Sequence, residues 1–187
     1  MAATALPGVY RLTFQDWLDC PDDGYLYELV EGELFVTPPP PIEHQRISRN
    51  LGDHLLQHLK LLRDAEVLAA PVGVRLSDEN VLEPDLVVVL AEHKDRIGEQ
   101  VIEGAPDLVV EILSKRTAKR DLGIKRARYQ AAGVAEYWIA DPATNTVEVL
   151  FLEREAYARH GLFGRTDTLT SRVLPGLRIP LDTVFAK

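Results

Sequence analysis

Ala105-Pro106-Asp107-Leu108-Val109-Val110-Glu111-Ile112-Leu113-Ser114 decides the fold, read together with the earlier Glu83-Pro84-Asp85-Leu86-Val87-Val88-Val89-Leu90. Both are short aliphatic runs opened by proline, nearly continuously apolar, the pattern of central strands covered on both faces. Each run carries a carboxylate, and an ionised carboxylate is expensive to bury unless it is paired or holds a metal. In a strand, residues two apart share a face, so Asp107, Val109, Glu111 and Leu113 point one way and Leu108, Val110 and Ile112 the other. Glu111 therefore sits within a sheet face. Asp85 lies at the start of its own strand and stands beside Glu111 if the two strands pair. A shared cation is the economical explanation for both.

Outward from this pair, Thr13 can cap a short helix through Asp16, Trp17 and Leu18. Tyr25 to Val30 and Glu33 to Val36 flank Glu31-Gly32, the signature of an N-terminal hairpin. Pro38 to Pro41 stop that ladder, because proline has no donor for it. Ile47, Leu51, Leu55, Leu59 and Leu62 then recur at helical spacing and predict a long helix from Ile42 to about Arg63. Val67 to Leu76, broken at Pro71, reads as one strand, and Ala91 to Gly104 as a charged loop with one helical turn. A helix is expected from about Ala118 to Ala132, ended by Gly133. Tyr137 to Ala140 and Thr146 to Leu152 are strands around an Asp-Pro turn, Tyr157 to Arg172 an edge hairpin, and Val184 and Phe185 close the chain. The expected class is α/β, a mixed sheet flanked by helices, with residues 1–187 forming one domain.

The 187 residues, 46% apolar and 27% charged, are ordinary for a soluble globular chain. The single Cys20 forms no internal disulfide, and Met1 to Tyr10 have no secretory pattern, which suits a reducing cytoplasm. No apolar stretch is long enough to span a bilayer, so no membrane role is expected. A formal net charge of −8 argues against a broad non-specific grip on nucleic acid and leaves room for a local basic groove.

Such a groove is suggested directly after Glu111, where Ser114-Lys115-Arg116-Thr117-Ala118-Lys119-Arg120 leads into a helix bearing Lys125, Arg126 and Arg128. At helical spacing Asp121, Lys125 and Tyr129 lie on one line, so Lys125 can project toward the strand carboxylates while Asp121 or Tyr129 fixes it. An Asp and a Glu suit a hard cation, magnesium or manganese, better than any His or Cys set in the chain. A lysine beside that ion can orient the attacking water and offset charge on a phosphoryl transition state. These residue types fit metal-assisted phosphodiester hydrolysis, with Lys115, Arg116, Lys119 and Arg120 on the phosphate backbone.

Each feature also has an ordinary reading. Asp85 can cap a turn, Glu111 can pair with a basic residue, and Lys125 can be a solvated partner of Asp121. Asp107, at the strand mouth, is a better cap than a ligand. His54 and His58 have the spacing of a zinc pair but lack its third ligand and general base. Cys20 has no His or Asp motif around it.

A longer succession of motifs carries a family resemblance. It runs through Tyr27-Glu28-Leu29-Val30-Glu31-Gly32-Glu33-Leu34, Pro38-Pro39-Pro40, His44-Gln45, Glu83-Pro84-Asp85-Leu86 and Ala105 to Ser114. It continues through Asp121 to Tyr129, Gly133, Glu136-Tyr137-Trp138-Ile139, Asp141-Pro142 and Leu174-Pro175-Gly176. Over nearly the full chain this resembles the Uma family of restriction endonucleases, of the PD-(D/E)XK nuclease superfamily. The resemblance implies a restriction-endonuclease-like mixed sheet with a metal site on its central strands. The motif Asp then falls on Asp85 and the acidic residue of the next strand on Glu111. The lysine usual two positions later is absent, Leu113 standing there, and Lys125 is its expected substitute. Glu31 or Glu28 and His44 are expected to complete the site. The implied function is a magnesium- or manganese-dependent endonuclease acting on nucleic acid, with DNA the expected target and a homodimer suggested by analogy to duplex cleavage. Two alternatives stand beside it: a module of the same fold acting through interaction without turnover, and a metal-dependent phosphoesterase on a small substrate.

Overall fold

The computed structural model describes residues 10–60 and 65–186. The expected carboxyl end of the long helix at Leu62 and Arg63, and the segment before Tyr10, lie outside the described residues.

Helix α1 (Phe14–Leu18) begins at Thr13, whose N–H and hydroxyl both donate to the Asp16 carboxylate, at 2.7 and 2.8 Å. The hairpin follows as β1 (Leu26–Val30) and β2 (Glu33–Thr37), paired Leu29 to Leu34 and Val30 to Glu33. Glu31 and Gly32 turn it with φ of 52° and 74°, the left-handed pair that matches strand twist in a two-residue loop. Helix α2 (Ile42–Leu59) starts straight after the prolines and buries Ile47, Leu51, Leu55 and Leu59, the face expected from their spacing.

The single strand expected from Val67 to Leu76 is two: β3 (Glu66–Ala69) and β4 (Gly73–Ser77), which enter different sheets. Pro71, without an N–H to donate, ends one ladder before the other begins. Two strands of three residues each, β5 (Asn80–Leu82) and β7 (Val101–Glu103), went unseen in the pattern because they are too short to show a period. Between them run β6 (Leu86–Val89) and a 3-10 helix, Ala91–Arg96. Strand β8 (Leu108–Ile112) pairs antiparallel with β6 and parallel with β9 (Glu136–Asp141). The parallel connection crosses over through α3 (Ala118–Arg120), a π-helical turn (Asp121–Lys125) and α4 (Arg126–Ala132), ended by Gly133 at φ 89°.

Strand β10 (Thr146–Glu153) and β11 (Ala156–Gly164) complete a six-stranded sheet of order β11-β10-β9-β8-β6-β3, while a five-stranded sheet runs β2-β1-β5-β4-β7. The single mixed sheet expected from the sequence is thus divided. The hairpin expected from Tyr157 to Arg172 is also redistributed. Here β11 pairs with β10, and β12 (Thr168–Leu169) pairs with β13 (Ile179–Pro180) ahead of α5 (Leu181–Val184).

Strands β6 and β8 are covered on both faces, as their apolar runs require. One face, with Leu86, Val88, Leu108, Val110 and Ile112, packs under the α2 residues; the other, with Val87, Val89 and Val109, meets Tyr129, Tyr137 and Ile139. A fully buried leucine such as Leu51 contributes about 1.5–3 kcal/mol, so this packing holds the two acidic strands rigidly in register. Asp107 caps the strand mouth, accepting from the Leu90 N–H at 2.7 Å and from His93 Nδ1 at 2.8 Å.

Candidate active site

The register of β6 on β8 pairs Leu86 with Val110, which sets the preceding Asp85 across from Glu111. Asp85 Oδ2 accepts the Ile112 N–H at 2.7 Å, fixing the carboxylate on its neighbour's backbone. His44, in the first turn of α2, reaches the same point: its Nε2 lies 3.0 Å from the Ile112 carbonyl oxygen and 3.3 Å from Asp85 Oδ2. Burial opposes the charged imidazole, but the bond to Asp85 and its charge, with the Ile112 carbonyl and the Asp121 charge, together outweigh it and hold His44 above its ordinary pKa.

Lys125 joins the acidic groups from above the other face. Its Nζ is 2.6 Å from Glu28 Oε1, 2.6 Å from Glu111 Oε1 and 3.5 Å from Asp121 Oδ1. Burial alone would lower its pKa, yet Glu111, Glu28 and Asp121 together hold the ammonium well above its ordinary value. Tyr129 donates its hydroxyl to the same Glu111 oxygen at 2.8 Å. Burial pushes the Glu111 carboxyl well up, against the pull of Lys125 and with added repulsion from Asp121, Asp85 and Glu28.

The π-helical turn brings these side chains into line. In a regular α-helix, four-residue steps drift by about 40°, so Asp121, Lys125 and Tyr129 would fan out by about 80°. The wider turn at Asp121–Lys125 removes much of that drift, and all three residues are buried. Tyr137, from β9, donates its hydroxyl to the Asp121 carbonyl oxygen at 3.0 Å and so anchors the turn.

Of the two hairpin alternatives the structure brings one to the site, and it adds one residue that was not expected. Glu31 sits in the hairpin turn with a half-exposed side chain and pairs with Arg128 Nη2 at 3.2 Å; Glu28, three residues earlier and 4% exposed, points into the site instead. Glu83 also lines the acidic cavity. Burial, then repulsion by Glu28 against attraction by Lys125, raises its pKa to about 7. Glu28 was readable by the argument applied to Glu111, as a charge sharing a strand face with Leu26 and Val30, but three glutamates in one hairpin hid which of them faces inward. Glu83 precedes a proline outside any strand and left no periodic signal.

The basic run divides in two. Lys115, Arg116 and Lys119 are exposed. Arg120 is half-buried: its Nη2 donates to Thr37 Oγ1 at 2.8 Å, and its guanidinium lies 4.7 Å from the Phe35 ring centre and 3.9 Å from Glu28. It braces the hairpin against the crossover. His54 bonds Thr183 Oγ1 at 2.7 Å.

Leu26, Glu28, His44, Glu83, Asp85 and Glu111, with Asp121 and Lys125, surround a cavity of about 50 Å³. Five carboxylates there face Lys125 and Arg120, and the buried oxygens Glu83 Oε2 and Asp121 Oδ1 have no hydrogen-bond partner among the described residues. Carboxyl groups in excess over cations fit a hard divalent ion, whose charge would favour their ionised form. Among the described residues no three His, Cys, Asp or Glu side chains are grouped tightly enough to cage an ion unaided. An ion held here would take one or two of the carboxylates and keep part of its water shell.

The comparisons with known proteins agree with this architecture. The fold matches the crystal structure of "a putative nuclease belonging to DUF820" from Anabaena variabilis with a TM-score of 0.77, at 20% identity, over 94% of this chain and 98% of that one. No curated protein matches the chain. Residues 13–182 match the Uma2 family, described as "Putative restriction endonuclease", and the chain belongs to that family.

Proposed function

We propose that the chain is a magnesium- or manganese-dependent endonuclease that hydrolyses phosphodiester bonds in nucleic acid, DNA being the favoured target. The observation that carries this reading is the convergence of Glu111, Glu28 and Asp121 on one buried lysine, with Asp85 lining the same cavity and Glu83 Oε2 without a hydrogen-bond partner there. Asp85 and Glu111 would hold the ion, which when bound supplies Lewis-acid polarisation of the phosphoryl group. Ile112 N–H and His44 fix Asp85, and Tyr129 fixes Glu111. Lys125, in the part of the missing strand lysine, orients the attacking water and offsets negative charge on the phosphoryl oxygens. Exposed Lys115, Arg116 and Lys119 steady the phosphate backbone beside them.

Cytoplasmic residence suits the lone Cys20, and no helix among the described residues is long and apolar enough to cross a membrane. A homodimer would place two such sites on the two strands of a duplex.

The deciding experiment measures cleavage of single- and double-stranded DNA and RNA with magnesium or manganese, beside Glu111→Ala and a chelator control. Activity abolished by both supports the reading. A second reading, an interaction module without turnover, is favoured by Lys125 already contacting Glu28 and Glu111 at 2.6 Å and by Leu113 in the lysine position. Absence of cleavage on every substrate would move the balance to it.

A further inference from the structure

A larger cavity, of about 480 Å³, opens beside the acidic one and shares His44, Glu83 and Asp85 with it. A molecule whose phosphate lies at Asp85 can therefore extend directly into this space. Trp17 and Tyr25 form part of its wall. Trp17 is firmly held: it stacks on Phe14 with ring centres 5.9 Å apart, donates Nε1–H to the Tyr27 carbonyl oxygen, and lies against Gly73, where a Cβ would come within 2.8 Å of the indole. Tyr25 is 48% exposed, an aromatic surface left in water at the mouth of a site.

The charge around this cavity is mainly acidic. Among the described residues Asp22, Glu83 and Asp85 line it, His44 is the one basic side chain, and no Lys or Arg lines it. Beyond Pro39 and His44 a third cavity, of about 680 Å³, is lined by Lys115 and Arg116 together with Glu43 and Asp141. The acidic lining makes the first space the poorer one for a free phosphate, and the exposed cations lie at the second. A flat, neutral ring bearing N–H donors suits the first, whose wall carries the Asp22 and Glu83 side chains.

We propose that the Trp17–Tyr25 cavity receives one unpaired nucleobase carrying an exocyclic amino group, next to the phosphate held at Asp85 and Glu111. The inference rests on the nuclease reading and narrows it. A base inside a duplex is stacked and paired, so the substrate is single-stranded or opened at the position cleaved. Cytosine and adenine present an amino group to an acidic acceptor, and thymine does not.

Fluorescence tests this without turnover. The chain has two tryptophans, and Trp138 is fully buried, so a change in emission on binding reports Trp17. Short oligocytidylate, short oligothymidylate and a mixed-sequence duplex are titrated into the whole protein with calcium in place of magnesium. Oligocytidylate should change the emission and bind about fivefold or more tightly than either the duplex or oligothymidylate. Trp17→Phe should abolish the signal, and Tyr25→Ala should remove the affinity advantage. Equal binding of strand and duplex, an unchanged emission, or full affinity in Tyr25→Ala would overturn the proposal. Cleavage in magnesium without a Trp17 response sinks the base pocket alone; a Trp17 response without cleavage keeps the pocket and moves the balance from the nuclease to the interaction module.

Discussion

Lys125 is the residue on which the acidic centre balances. Its ammonium offsets Glu28, Glu111 and Asp121 at once, and removing one partner of a buried ionic group leaves the others uncompensated. Lys125→Met should therefore cost about 3–5 kcal/mol in chemical denaturation. Magnesium should restore part of that loss, because a second cation can enter the vacated position. Glu83 gives a pH signature. Its folded pKa of about 7 lies above the usual 4.5, so the folded state prefers the protonated carboxyl. Its contribution is fully present below about pH 4.5 and is lost as pH rises through about 7, amounting to about 3 kcal/mol at most. Glu83→Gln should thus melt like the wild type in acid and above it at alkaline pH; a variant that gains nothing at high pH would refute this account of Glu83. Glu111 and Lys125 were legible as charges where apolar or solvated residues would be ordinary. The choice of Glu28 over Glu31 was not, since only the turn geometry at Glu31 sends that side chain outward.

Among the elements, the π-helical turn has the clearest bearing on the site. The spacing of Asp121, Lys125 and Tyr129 announced a shared face, but no residue pattern distinguishes a π turn from an α-helix, so its sharper alignment came only from the structure. Deleting Leu122, an exposed residue of that turn, should let the crossover relax to a regular helix and swing Asp121 off the line of Lys125 and Tyr129. Far-ultraviolet circular dichroism should stay native while magnesium affinity falls about 10–100-fold, the scale expected when groups supporting a metal site are displaced. Unchanged magnesium affinity would show that the turn has no part in it. The long elements were read well because period and length reinforce each other: α2 and the paired apolar strands β6 and β8 stand where expected. The short β5 and β7, and the division of one expected strand at Pro71, depend on partners distant in sequence and were invisible to a local pattern.

Across the whole molecule, a formal charge of −8 restrains how nucleic acid can be held. On the proposed reading attraction would come from a few exposed cations beside the site, chiefly Lys115, Arg116 and Lys119. Three phosphate contacts predict a shallow salt dependence, with a slope of log affinity against log salt of about −2 to −3. Lys115→Ala should reduce that slope by about 1. A slope several-fold steeper would place the binding surface elsewhere. On the proposed reading the carboxylates of two paired central strands, Asp85 and Glu111, work together on a divalent ion. The most direct test is the cleavage rate of Glu111→Gln, which keeps the side-chain shape and removes the charge, against the wild type in magnesium, with both proteins shown to be folded. The account predicts a loss of at least about 100-fold, matched by chelation of the wild type. Undiminished cleavage by a folded Glu111→Gln protein would contradict it.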